Sequence, residues 1–164
     1  MKITALEEYG IRCMLLLAQG GPQETLTLTD FNVKEGLSIP YAGKLLMLLK
    51  RAGLVRAVRG RRGGYQLSRS PETIMLREIF EALGEPAFSP SHCSKHTGLR
   101  EICVHAGDCR VLDIWKTFDS FIGQIMDKIT LADVASGKLE ILIGMPVTGG
   151  RAISRGGVSG DRGI

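Results

Sequence analysis

Residues 36–71, GLSIPYAGKLLMLLKRAGLVRAVRGRRGGYQLSRSP, carry eight cationic side chains and no Asp or Glu. The cations are Lys44, Lys50, Arg51, Arg56, Arg59, Arg61, Arg62 and Arg69. So much charge of one sign is tolerable only if the apolar residues are gathered inward and the cations spread over an outer face. The punctuation shows how. Ser38 is a good helix N-cap, and Pro40 suits the first turn behind it. Leu45, Leu46, Leu48 and Leu49 recur at helical spacing, and Gly53 supplies a left-handed residue to stop the helix. Residues 54–58 alternate like a strand, residues 59–64 form a glycine-punctuated turn, and Tyr65, Gln66 and Leu67 return as a second strand. Preceded by another short helix, this pattern predicts a winged helix-turn-helix, which lays one helix in the major groove and rests a hairpin on the adjacent backbone. Ser38, Pro40, Tyr41 and Lys44 are then expected to face the groove of a double-stranded DNA operator. Arg59, Arg61 and Arg62 are expected to meet phosphate or enter the minor groove.

The 164 residues suffice for one globular domain with an added dimerisation element. At 44% hydrophobic and 23% charged, most of the chain should fold. A net charge of +4 means little by itself; its concentration in one acid-free window favours a polyanionic partner. No apolar run is long enough to span a bilayer, and no signal peptide opens the chain, so a cytoplasmic protein is expected. Four cysteines in such a reducing compartment point to metal or redox chemistry before disulfides.

Thr4 and Glu7 fit a capping box opening a helix to about residue 18, which Gly20, Gly21 and Pro22 end. Cys13 lies among its apolar residues and reads as a buried, inert thiol. Leu26 to Leu28 alternate briefly, and Thr29 is expected to cap a short helix ending at Gly36. Beyond the wing, residues 70–72 form a turn, and Ile74, Leu76, Ile79, Phe80 and Leu83 suggest a strand remnant passing into a short helix. From Cys109 a long helix is predicted. Val111, Trp115, Phe118, Ile122, Ile125 and Ile129 recur in four- and three-residue steps, the seam of a helix pair, with Ile114 and Phe121 widening it. Thr130 can cap a last short turn before Gly137. Residues 148–164 hold six glycines, three arginines and no aromatic residue, which predicts a disordered tail.

His92, Cys93, His96, Cys103, His105 and Cys109 fall within eighteen residues that show no regular period. Metal–ligand bonds can order a loop that burial cannot. The spacing is not that of a paired zinc ribbon, so iron–sulfur, zinc and metal-free redox thiols all remain open on the residues alone. An enzyme using Cys103 or Cys109 as a nucleophile would lack an orienting partner and a substrate loop, and would leave the basic wing unexplained. The expectation is a protein that is not an enzyme.

Several stretches together carry a resemblance: Met1 to Thr4, Leu37 to Tyr41, Ala52 to Val55, the wing from Val58 to Leu67, the three-cysteine loop, and Ile129 to Asp133. Over residues 1–137 the chain resembles the Rrf-type (IscR- and NsrR-like) family of winged helix-turn-helix transcriptional regulators. The resemblance implies a mainly α fold with a small β wing and a long C-terminal helix crossing between the subunits of a homodimer. It implies an iron–sulfur cluster, 2Fe–2S or 4Fe–4S, on Cys93, Cys103 and Cys109, responding to redox, nitric oxide or iron–sulfur status. Where some relatives place a histidine ligand after the last cysteine, this chain has Leu112. Glu8 matches the first-helix acid that other relatives supply across the dimer, with His92, His96 and His105 as competitors. The alternative is a regulator of the same fold that senses through free thiols or zinc. The expected organisation is a winged helix-turn-helix over 1–86, a cluster loop over 87–108, a dimerisation helix and short terminal helix over 109–137, and a tail over 138–164.

Overall fold

The computed structural model describes residues 3–21, 24–60, 63–84, 96–137 and 139. Helix α1, Ala5–Gln19, opens with a capping box: the Thr4 side chain accepts from Glu7 N–H, and Glu7 Oε2 accepts from Thr4 N–H at 2.6 Å. Helix α2, Leu28–Glu35, is capped by Thr27 and not by Thr29, because Asp30 completes the reciprocal box with Thr27 at 2.7 Å. The start is also fixed from outside the helix. Leu26 is drawn into a backbone bridge with Tyr65, exchanging hydrogen bonds of 2.9 and 2.8 Å. The brief alternation at Leu26 is thus a short third strand beside the wing.

Helix α3, Ile39–Arg51, begins at the expected Ser38 cap and ends at Ala52, followed by Gly53 at φ +74°. Strands β1, Val55–Val58, and β2, Gly64–Leu67, form an antiparallel pair with Arg56 opposite Gln66 and Val58 opposite Gly64. A single 3-10 turn, Pro71–Thr73, leads to helix α4, Leu76–Leu83. The strand remnant predicted near Ile74 is a bridge between Met75 and Thr130, flanked by Leu76 N–H to Ile129 O and Leu131 N–H to Ile74 O, both 2.8 Å. Cys13, Met14 and Leu17 of α1, Phe31 of α2, Leu45, Leu46 and Leu49 of α3, and Ile79 and Leu83 of α4 share one buried core.

Helix α5, Arg110–Met126, leaves this body and buries only Gly123. It docks there on α4: a Cβ at position 123 would lie 2.9 Å from Arg77 Nη1, and the same nitrogen donates to Asp127 Oδ2 at 2.9 Å. Val111, Ile114, Phe118 and Phe121 line an exposed face, each at least half accessible. The most open row is therefore 111–114–118–121; Trp115, Ile122 and Ile125 are half-buried, and Ile129 lies beyond the helix end. Helix α6, Leu131–Ser136, is boxed by Thr130 and Asp133 and buries Leu131 in the common core. Apart from residue 139, the predicted tail lies outside the described residues.

Gly64 is where the wing is most sensitive. A Cβ there would sit 2.4 Å from the carbonyl oxygen of Leu26, a backbone atom that cannot swing aside. Gly64→Ala is expected to break the Leu26–Tyr65 bridge and to cost about 1–3 kcal/mol, read as a lowered urea midpoint at unchanged m-value. An unchanged midpoint would mean that the bridge does not hold the wing.

Candidate nucleic-acid interface and cysteine loop

The two sides of α3 divide cleanly. Ala42, Leu45, Leu46 and Leu49 are fully buried, while Pro40, Lys44, Met47 and Arg51 are exposed. Steps of four, three and four residues put the exposed four in one row opposite the leucines. Ser38 is exposed as well, its Oγ accepting from Tyr41 N–H at 3.4 Å. Tyr41 is half-buried. Its ring meets Tyr9 of α1 edge-on, with centroids 5.9 Å apart and planes at 90°. Arg12 lies 5.3 Å over Tyr9, and its Nε donates to Glu35 Oε2 at 2.8 Å. Tyr41 is thereby tied to α1, whereas Ser38, Pro40 and Lys44 stand open. Met47 and Arg51 share that open row and were missed in the sequence; the signal was their seven- and eleven-residue distance from Pro40.

The cations of the basic segment have separate fates. Arg69 is held by the Glu78 carboxylate and by the Thr73 carbonyl at 3.2 Å, so it is structural. Arg56 lies across the strand pair from Gln66, whose amide oxygen, turned toward β1, accepts from the guanidinium. Lys44, Lys50, Arg51 and Arg59 are exposed, the first three on α3 and Arg59 just past the end of β1. Arg61 and Arg62 lie outside the described residues. Charges so placed, with no carboxylate among them, create the positive surface that a phosphate backbone attracts.

The described part of the cysteine loop, residues 96–109, contains turns and no helix or strand. Ala106 N–H donates to Cys103 O at 3.0 Å, and Asp108 N–H to His105 O at 3.3 Å. Cys109 is the N-cap of α5: its Sγ accepts from Leu112 N–H at 3.4 Å. The sulfur thus faces the free amides of the first helical turn. Cys103 and Cys109 are both free and partly exposed. Cys13 contrasts with them. It is fully buried, and its pKa is pushed up to about 12, chiefly by desolvation and then by the nearby Glu35, with Arg12 opposing. It stays a neutral thiol at physiological pH.

Glu8 is exposed in the first turn of α1, and the neighbouring cap uses Glu7, so the Glu8 carboxylate is not consumed there. His96 and His105 are exposed too. Among the described residues no three His, Cys, Asp or Glu side chains converge within one chain. Cys93 and His92 lie outside those residues. The donor chemistry suits a cluster on its sulfur side: two partly exposed thiols on a turn-rich segment.

Among the described residues no helix is long and apolar enough to cross a membrane. A family model described as Rrf2, iron-dependent transcriptional regulator, matches residues 3–137. The chain is 30% identical over 156 residues to the HTH-type transcriptional regulator IscR of Vibrio parahaemolyticus, covering 92% of this chain and 90% of that one. The solved structure of T. potens IscR is similar at a TM-score of 0.65 and 30% identity, covering 84% of this chain and 88% of that one. The structure of CymR, the global cysteine regulator of B. subtilis, is similar at 0.66 and 26% identity, covering 84% and 98%. With a winged helix-turn-helix body, a cation-bearing α3 and wing, and a family match over nearly the whole described chain, this protein belongs to the Rrf2 family of DNA-binding transcriptional regulators, which are not enzymes.

Proposed function

We propose that this regulator is a homodimer that senses through an iron–sulfur cluster on Cys93, Cys103 and Cys109, with Glu8 of the partner subunit as the fourth donor. The observation that carries the reading is the pair of accessible thiols in a loop without regular structure, one of them capping α5. The iron-dependent description of the family and the likeness to IscR support it. When bound, such a cluster supplies a soft, redox-active centre whose oxidation, nitrosylation or loss changes local charge and ligation. The residues of the chain do the rest. Cys109 is held in place at the first turn of α5. Glu8 offers a weaker oxygen donor, which a small molecule displaces more easily than a thiolate. Glu8 and Tyr9 are neighbours on α1, and Tyr9 abuts Tyr41 at the entry of α3. A shift of α1 on losing its ligand is then felt at the reading helix. The apolar row on α5 supports the dimer, since Phe118 and Phe121 would otherwise remain in water.

Protein purified without oxygen is expected to carry iron and acid-labile sulfide. Cys93→Ala, Cys103→Ala and Cys109→Ala should each lose them, and Cys13→Ala should not. Glu8→Ala should retain cluster but lose it faster in air. Zinc without sulfide, or no metal at all, would instead favour the alternative of a regulator that senses through free thiols or zinc.

Phe118→Glu puts a charge in the apolar row, at a cost of several kcal/mol in a buried seam. Sedimentation should show a folded monomer; an undisturbed dimer would place the interface elsewhere. For the wing, the combined Arg59→Ala, Arg61→Ala and Arg62→Ala variant should bind specific and random duplexes more weakly. The slope of log affinity against log salt should fall by about 0.9 per lost phosphate contact, and a wild-type slope would remove the wing from the interface.

A further inference from the structure

Base reading from the major groove follows a short chemical code. Arg or Lys pairs with guanine O6 and N7, Asn or Gln with adenine, Glu or Asp with the cytosine amine, and apolar groups with the thymine 5-methyl. Between residues 27 and 71 the candidate acids and amides are Asp30, Asn32, Glu35 and Gln66. All four are engaged by partners within the fold. Asp30 caps α2 through Thr27, and Asn32 Nδ2 donates to the Leu37 carbonyl at 2.7 Å. Glu35 is paired with Arg12 at 2.8 Å, and Gln66 is only 6% exposed on the inner side of the wing. None of these carboxylates and amides stands on the outer row of α3.

What remains on the outer row of α3 is Pro40, Lys44 and Met47, with Ser38 at its cap, Ile39 at its edge and Arg51 at the far end. Met47 is 43% exposed and Ile39 47% exposed, two large apolar side chains on a face otherwise given to cations. Met47 sits one turn from Lys44 on the same row, so the two reach neighbouring base pairs. Met47 also adapts its shape readily, having an unbranched chain and no hydrogen-bonding demand to satisfy.

We infer that α3 reads its half-site through thymine methyl groups packed on Met47, Pro40 and Ile39, beside a single guanine that accepts from Lys44. The inference rests on the DNA-binding reading of α3 and specifies its ligand: a duplex half-site whose major groove presents one guanine flanked by thymines. Specificity of this kind owes little to hydrogen-bond geometry. It depends on apolar contact, so it should respond to a single methyl group on the DNA.

Selection of bound duplexes from a random library by the full-length protein, purified without oxygen, should yield half-sites with one guanine among thymines. Replacing the selected thymines by deoxyuridine should weaken binding about fourfold per methyl group. Met47→Ala should erase the difference between thymine and deoxyuridine at the base pair next to the selected guanine, at an unchanged salt slope, and Met47→Leu should restore it. Lys44→Ala should abolish the preference for guanine, at a cost of about tenfold or more. A consensus whose affinity ignores both deoxyuridine and Met47→Ala overturns this inference and leaves the regulator reading intact. A library that yields no consensus overturns both.

Discussion

The arrangement of the reading head depends on the burial of one side of α3. Leu45, Leu46 and Leu49 are wholly removed from water, each contributing about 2 kcal/mol of apolar transfer. Together that is a large share of the 5–15 kcal/mol by which a domain of this kind is stable. A one-residue rotation of the helix would exchange leucine for lysine in the core, so its orientation is effectively fixed. Lys44 and Met47 face outward because the leucines cannot. The composition of the outer face is then free to serve recognition, and it carries none of the burden of folding.

Around that helix the chain uses local caps for starts and long-range bridges for registration. The wing is attached at two levels. Its strands pair with each other, and Gly64 lets the Leu26 backbone close on Tyr65 beside them. At the opposite end, Gly123 makes room for the Arg77 guanidinium, which reaches both Glu81 and Asp127 at 2.9 Å. These ion pairs are half-exposed and individually worth little. Their value is directional, since together with the missing side chain at 123 they set where α5 leaves the body.

Helix α1 is the element that the other parts share. Within six residues it presents an exposed carboxylate at Glu8, an aromatic contact to α3 at Tyr9, an ion pair to α2 at Arg12 and a buried thiol at Cys13. Neighbouring positions on a helix point a hundred degrees apart, so one short segment can serve solvent, both helices of the reading head and the core at once. A movement of this helix reaches α3 through a ring contact and α2 through an ion pair.

Much of this was legible in the sequence because it is local. The Thr4 and Thr130 boxes, the Ser38 cap, the Gly53 stop and the basic hairpin all rest on residues within a few positions of one another. The three-cysteine loop was likewise legible as chemistry, since thiols and imidazoles crowd a stretch with no period to bury. The choice of Thr27 over Thr29 was not, because both threonines can cap. The bridge from Leu26 to Tyr65, thirty-nine residues away, decided between them. The side of Tyr41, the open row of α5 and the place of Ile129 beyond its end escaped for the same reason. Each is set by a partner distant in sequence: Tyr9, Arg77 and Leu76, respectively. Sequence alone determined which segments are helices and strands, through caps and periodicity, and where the thiols and imidazoles gather. The tertiary structure decided which face of each meets water, because that depends on which surfaces the core has already claimed.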